Sequence, residues 1–444
     1  MKIKTPQAVH FLIERLEREG CEAYAVGGCI RDRLLGREPK DWDVCTSAHP
    51  SRILEIFSDL PVIPTGIKHG TLTVIVGGQP YEVTTFRKDG DYQDGRRPAS
   101  VDFVDALEED LARRDFRINA MAYNEKRGLQ DPFGGGEDIE NKRLRTVGSP
   151  ALRFSEDYLR MMRAVRFAAV LDFEPEEEMM GQIRKLAPKI RRISAERIRQ
   201  ELLGMLDSPH SLRAIRLLEE SGLLRQILPE LSACIGVEQN HPLHGKDVYE
   251  HTLEVMENLG EAPVLLKLAA LFHDIGKPKT KSSDERGVDR FYAHEQVGAQ
   301  MSREILSRLR FSNDEIERVA SLVLHHGYRP ESRRAAVKRF IRKVGKDRLD
   351  FLLKLQSADI RAHCGREDAL RQQEGLRAMI EEILSAEEPT AMGDLALSGK
   401  DLLAMGYVQG KEIGRIKESL MQHVLEHPED NEKEILRRIV RERF

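Results

Sequence analysis

Asp41 and Asp43 stand one residue apart in the stretch VGGCIRDRLLGREPKDWDV, residues 26–44. In a strand, successive side chains alternate faces, so the two carboxylates would share a face while Trp42 and Val44 turn into the core. Adjacent carboxylates repel unless a cation lies between them. Oxygen-rich sites of this kind suit Mg²⁺, which takes one or two carboxylates together with substrate phosphates. Just upstream, Gly27 and Gly28 would let the backbone approach a triphosphate closely, and Arg31 could pair with its charge. A third carboxylate is expected on a neighbouring strand, and Glu82 in PYEVTTF is the candidate. An isolated D-x-D pair is most often a solvated strand. The glycine pair at this distance favours phosphoryl-transfer chemistry, with Asp41, Asp43 and Glu82 as the catalytic set.

A second constellation runs through HPLHGKDVYEHTLEV, LAALFHDIGKPKT, AHEQVGAQ, VLHHG and LQSADIRAH. His251, the His273-Asp274 dipeptide and Asp359 fall on successive predicted helices. Imidazoles and carboxylates converging from several helices suit a divalent metal, here Mg²⁺, Mn²⁺ or Ni²⁺. His294 and either His325 or His326 are further candidate ligands, and Lys277 could bind phosphate. A lone histidine on an apolar helix is usually a packed core residue; four elements in the right order argue otherwise. The series resembles the HD superfamily of metal-dependent phosphohydrolases.

The glycine pair with its aspartates resembles the signature of the nucleotidyltransferase superfamily that includes DNA polymerase β. RRDFRINAMAYN, DPFGGGEDIENKRLRTVG, FSEDYLRMMRAVRFAAVLDF and ISAERIRQELLGML follow in order. Together these motifs resemble the class II bacterial tRNA nucleotidyltransferases, the CCA-adding enzymes, and their poly(A) polymerase relatives. The resemblance spans roughly residues 20–230. It implies template-independent addition of C, C and A to tRNA 3′ ends from CTP and ATP, with Mg²⁺ at the aspartates. In EDYLRMMR, Glu156, Asp157, Arg160 and Arg163 are expected on one helix, with Asp157, Arg160 and Arg163 sharing a face. The resemblance gives Asp157 and Arg160 the reading of the base, with Glu156 orienting Arg160. Arg163 and Arg166 fall where the family binds phosphate or ribose, Arg114 matches another nucleotide contact, and Asp115 and Asn119 hold the ribose or the motif itself. The alternatives are A addition alone, a poly(A) polymerase, or an HD phosphohydrolase directed to tRNA. RKDGDYQDGRRP resembles the family's flexible loop, whose full length favours CCA or A addition over CC addition.

These residues need a scaffold, and the sequence implies an α+β chain. The first 125 residues mix strands and helices; TLTVIVGGQPYEVTTFR is a hairpin signal and 87–105 a long mobile loop. From LEEDLARRDFRINAMAYN onward the pattern turns helical. The expected organisation is a polymerase-β-like nucleotidyltransferase head with a small mixed sheet (1–145), a helical neck (146–235), an HD body (236–385) and a helical tail (386–444). Gly406, Gly410 and Gly414 recur every four residues in that tail, which suits close helix packing or RNA contact equally.

The formal net charge of −4 offers no global sign of nucleic-acid binding. Local clustering does: RKLAPKIRRISAERIR carries Lys185, Lys189, Arg191 and Arg192, candidates for neutralising RNA phosphates. The expected partners are tRNA, CTP and ATP, with no DNA and no membrane. Apolar runs reach nowhere near the roughly 18 residues of a membrane span. Five scattered cysteines without CxxC spacing suit a reducing cytoplasm, and the N-terminal stretch reads as an amphipathic helix rather than a signal peptide.

Overall fold

The computed structural model describes residues 3–90, 100–239, 246–285, 287–363 and 367–444. It divides into two compact units, Met1–Pro229 and Glu230–Phe444. The segment 91–99, at the heart of the predicted flexible loop, lies outside the described residues, as does NHPLHG at 240–245.

The first unit is built on a seven-stranded mixed sheet. Its strands lie in the order Val62–Gly66, Thr71–Val76, Gln79–Thr85, Asp43–Thr46, Ala23–Val26, Ala122–Asn124 and Gly128–Gln130. The predicted hairpin forms between Thr71–Val76 and Gln79–Thr85. Gly77 and Gly78 at its tip both have positive φ (60° and 80°), as a two-residue turn matched to strand twist requires. One pairing is parallel: Asp43–Thr46 runs alongside Gln79–Thr85. All four residues of Ala23–Val26 are buried, as suits a central strand covered on both faces. The helix Gln7–Arg18 buries Val9, Leu12, Ile13 and Leu16, spaced for one face.

Two expectations change here. AMAYN and GLQ were expected to continue a helix, but they form the two edge-side strands Ala122–Asn124 and Gly128–Gln130. Strands of three residues are too short to show an alternating pattern against an apolar run. The stems of the predicted 87–105 loop are also ordered: Arg87–Asp89 pairs antiparallel with Val101–Phe103. Downstream, the helix Leu159–Leu171 packs on Ala195–Leu206 and Ser211–Glu220.

In the second unit, Val248–Leu259, Val264–Phe272, His294–Arg308, Asn313–His325 and Leu349–Arg361 pack around one core. Asn313–His325 opens with a full capping box between Ser312 and Glu315. A short ribbon, Lys281–Ser283 with Asp289–Phe291, interrupts what the sequence suggested was continuous helix. The C-terminal helices Gly399–Ala404, Lys411–Glu426 and Lys433–Arg443 bury Leu402, Ile416, Leu420, Met421, Val424, Leu436 and Val440 together. No helix of the described residues is long and apolar enough to cross a membrane.

Candidate active site

The parallel pairing sets Asp43 directly beside Glu82, its register partner on the next strand. On its other side Asp43 faces Val26, the last residue before the glycine pair. The strand begins at Asp43, so Asp41 sits just ahead of it, exposed, and not within the strand as expected. Trp42 and Val44 are buried, as the alternation implied. Burial first, then the charges of Glu82 and Asp41, push the Asp43 carboxyl up to about 6, and Arg114 only partly offsets them. Excess negative charge of this kind is what a divalent cation relieves.

Gly27 carries φ 86° and donates its N–H to the Met121 carbonyl at 3.0 Å. A Cβ here would stand 2.7 Å from Nη1 at the movable end of Arg114, and the positive φ strains any side chain placed in the turn. Gly28 opens the short helix Gly28–Leu34. Arg114 donates a long 3.5 Å bond to Asp110 and has its Nε buried without a hydrogen-bond partner. Arg31 is less free than expected: it holds Asp32 (2.7 Å) and the Asn119 side-chain oxygen (2.7 Å).

Asn119 links this corner to the helix Leu159–Leu171. Its amide donates to Asp115 at 3.2 Å, and Arg163 donates to the other Asp115 oxygen at 2.7 Å. Burial alone would raise the Asp115 carboxyl, but Arg163, Arg160 and the Asn119 bond outweigh it and hold it down at about 2. Arg166 bonds Glu201 at 2.6 Å. The guanidiniums of Arg31, Arg163 and Arg166 all lie over the Phe167 ring, at 5.1, 5.2 and 4.4 Å from its centre. Cations gather on an aromatic face because its quadrupole is negative there. Phe167 was not singled out from the sequence; the Arg166-Phe167 dipeptide was its only signal.

EDYLR is not one helix. Pro150–Glu156 ends one helix and Leu159–Leu171 begins another. Asp157 lies between them in extended backbone (φ −143°, ψ 107°) and so does not share a helical face with Arg160 and Arg163. Its Oδ1 accepts the Leu159 N–H at 3.0 Å, the local bond by which an aspartate competes with helix. Glu156 does grip Arg160, which also donates to the carbonyls of Arg153 (3.1 Å) and Arg113 (3.2 Å). Asp157 is gripped by Arg197, 40 residues on, through both guanidinium nitrogens at 3.3 and 2.5 Å. Lys185, Lys189, Arg191 and Arg192 are all exposed.

The second unit holds a tighter cluster. His251 Nε2 lies 3.1 Å from Asp359 and 3.4 Å from His273 Nε2, and the His273 Nε2 lies 3.2 Å from Asp274 Oδ2. The other oxygen of Asp274 faces His294 (3.4 Å) and His326 (3.7 Å). Asp274 thus presents one oxygen to each of two histidine pairs. Three of these rings are oriented the same way: Nδ1 of His273, His294 and His326 meets the carbonyl of Ala270, Phe291 and Val323 at 2.7, 2.8 and 2.7 Å. A carbonyl partner places the proton on Nδ1 and leaves the Nε2 lone pair for a metal. Burial opposes ionisation of Asp274 and Asp359, but the neighbouring imidazoles, and Lys277 at Asp274, hold both below the usual carboxylate range. Of the two candidates at 325 and 326, His326 joins the cluster. His363 was missed, although it lies in the LQSADIRAH segment; it sits 3.6 Å from Asp359. Lys277 is buried and committed to Asp274 (2.7 Å) and Gln239 (2.7 Å). A cavity of about 740 Å³ opens beside the cluster, lined by Asp274, His294, His326, Asp359 and His363 and by the exposed Tyr292. Among the described residues, triads with ligand atoms all within 4.8 Å of one another occur only here; the head carboxylates are more widely spread.

The poly(A) polymerase head-domain model matches residues 23–145, its probable RNA- and SrmB-binding region matches 172–235, and the HD-domain model matches 244–366. A segment similar to the poly(A) polymerase head domain thus precedes one similar to the HD domain in this chain. It is 49% identical over 222 residues to a CCA-adding enzyme of Geobacillus kaustophilus, across 50% of this chain and 54% of that protein. It is 47% identical over 216 residues to one of Lactobacillus helveticus, across 49% and 54%. The chain therefore spans about half the length of the curated relatives it matches. The crystal structure of the Bacillus stearothermophilus CCA-adding enzyme in complex with CTP superposes with a TM-score of 0.72 at 29% identity, over 96% of this chain and 94% of that one. The Thermotoga maritima CCA-adding enzyme complexed with tRNA shares the fold at a TM-score of 0.61 and 21% identity, over 99% and 97%.

Proposed function

We propose that this chain adds C, C and A to the 3′ end of tRNA from CTP and ATP, without a nucleic-acid template. The observation that carries the reading is the strand pairing that sets Glu82 beside Asp43, with Asp41 two residues upstream. The similarity to relatives named CCA-adding enzymes, 49% identical over 222 residues in one case, supports the choice of substrate. The donors are hard oxygens whose mutual repulsion raises Asp43, which fits Mg²⁺. Mg²⁺ bound there would activate the attacking hydroxyl and stabilise the departing pyrophosphate.

The chain's own residues do the rest. Gly27 brings backbone to the triphosphate, and Arg31 and Arg114 supply positive charge beside it. Arg114 suits that role because its Nε is buried and unpaired. Asp115 and Asn119 fix Arg163 and Arg31 and so hold the cationic wall around Phe167 in place. Arg166 belongs to the same wall, anchored on Glu201. Arg160, held by Glu156, offers donors, and Asp157 offers an acceptor, to the Watson–Crick edge of cytosine or adenine. Exposed Lys185, Lys189, Arg191 and Arg192 meet tRNA phosphates, so binding weakens with salt. In this reading the head, neck, body and tail divide near residues 145, 235 and 385.

Incubation with tRNAs ending before, within and after CCA, with each labelled NTP in turn, tests the reading. Addition of A only onto CC-ended tRNA would replace it with A addition. Long A tails on unrelated RNA would indicate a poly(A) polymerase, and unimpaired addition by Asp41→Ala would refute the site.

A second reading stands beside the first: the HD cluster binds a divalent metal and hydrolyses a phosphate ester. Convergence of Nε2 atoms and carboxylate oxygens on one cavity favours it. Phosphatase activity that survives Asp274→Ala would rule it out.

A further inference from the structure

Arg197, the partner of Asp157, has no place in the reaction as described so far. Asp157 sits in extended backbone between two helices, and its side chain is only 15% exposed. Arg197 reaches it from the first turn of Ala195–Leu206, a separate helix. The contact is a fork: Nη1 donates to Oδ1 at 3.3 Å and Nη2 to Oδ2 at 2.5 Å. The Leu159 N–H adds a third donor, on Oδ1 at 3.0 Å.

A carboxylate has two oxygens and about four lone-pair sites, all acceptors. Arg197 and Leu159 occupy three of them and fix the plane of the group. Oδ2 alone keeps a free acceptor position. One acceptor matches one amino donor, which cytosine (N4) and adenine (N6) each present. Guanine is the base this arrangement guards against. Its Watson–Crick edge carries two adjacent donors, N1–H and N2–H₂, spaced to grip both oxygens of a free carboxylate. Uracil offers only N3–H between two carbonyls. A bare aspartate in this position would therefore accept guanine.

We propose that Arg197 is a positioning residue for nucleotide selection: by capping both oxygens of Asp157 it leaves a single acceptor and so excludes GTP. The inference rests on the assignment of Asp157 to base reading. Arg197 does not itself touch the nucleotide.

The test uses the full-length protein with CC-ended and truncated tRNA, and compares wild type with Arg197→Met and Arg197→Lys. Incorporation and equilibrium binding are measured separately for CTP, ATP, GTP and UTP. In Arg197→Met, the preference for CTP and ATP over GTP is expected to fall roughly tenfold or more, the worth of one bidentate contact. The preference over UTP should move much less. Arg197→Lys keeps the charge and its donors on a single nitrogen, without the fork, and should restore part of the discrimination. An unchanged GTP ratio in Arg197→Met overturns the proposal. So does a relaxation directed mainly at UTP, or an equal loss of binding for all four nucleotides in both variants, which would assign Arg197 to folding. Failure of wild type to add C or A is a different outcome, since it removes the nucleotidyltransferase reading itself.

Discussion

Replacing Asp43 with asparagine should stabilise the first unit while abolishing nucleotide addition. Burial, Glu82 and Asp41 raise this carboxyl from 3.8 to about 6 in the folded chain. A folded-state pKa above the unfolded one favours the protonated form, so the associated stability is present below about pH 4 and lost as pH rises through about 6. The shift of roughly two units corresponds to a penalty of up to about 3 kcal/mol at neutral pH without divalent ions. Asparagine is neutral and nearly isosteric, so Asp43→Asn escapes it. The readout is built in: Trp42 is the sole tryptophan, buried next to Asp43, and reports the first unit alone. Urea unfolding followed by its fluorescence, in chelator at pH 7.5, should show the variant more stable by up to about 3 kcal/mol. The gap should close as pH falls toward 4. Millimolar Mg²⁺ should stabilise wild type and leave the variant unchanged, because a ligand that binds only the folded state shifts the equilibrium toward it. A variant no more stable than wild type in chelator at pH 7.5 would refute the account, since the carboxylates would then not be in uncompensated repulsion.

Asp115 should behave in the opposite sense. Its folded pKa is depressed to about 2, so its contribution of about 2 kcal/mol is present above about pH 4 and lost as pH falls toward 2. Asp115→Asn should lower stability by about that amount at pH 7, with a difference that narrows in acid; the same fluorescence titration checks it. In the second unit, Asp274 serves both histidine pairs, so Asp274→Asn should weaken divalent-metal uptake more than His363→Gln does. Equilibrium dialysis with Mn²⁺ or Ni²⁺ measures this, and equal uptake by the two variants would contradict the shared-carboxylate geometry.

The sequence by itself determined which groups are candidates for the chemistry. D-x-D after a glycine pair, the histidine–aspartate dipeptide and the EDYLR segment are local patterns, since spacing along a strand or helix fixes which side chains share a face. The family resemblance paired Glu156 with Arg160, and the two do meet, although they stand on different helices, Pro150–Glu156 and Leu159–Leu171. Periodicity failed on the same segment at Asp157, because a side chain that bonds the backbone two residues on breaks the helix that the apolar pattern suggests. Periodicity also could not choose between His325 and His326. Neighbours on a helix point about 100° apart, so one of the two must face the cluster, and only the packing of Asn313–His325 on its partners says which. Glu82 was reachable as a guess but became a neighbour of Asp43 only through the parallel register. Asp157 with Arg197, Asp115 with Arg163 and Asp359 with His251 join residues 40, 48 and 108 apart in the chain. A pattern names the face a residue occupies; the fold alone decides what stands opposite it. Here that choice sets the charge of Asp43, the free acceptor of Asp157 and the lone pairs aimed at the HD cluster.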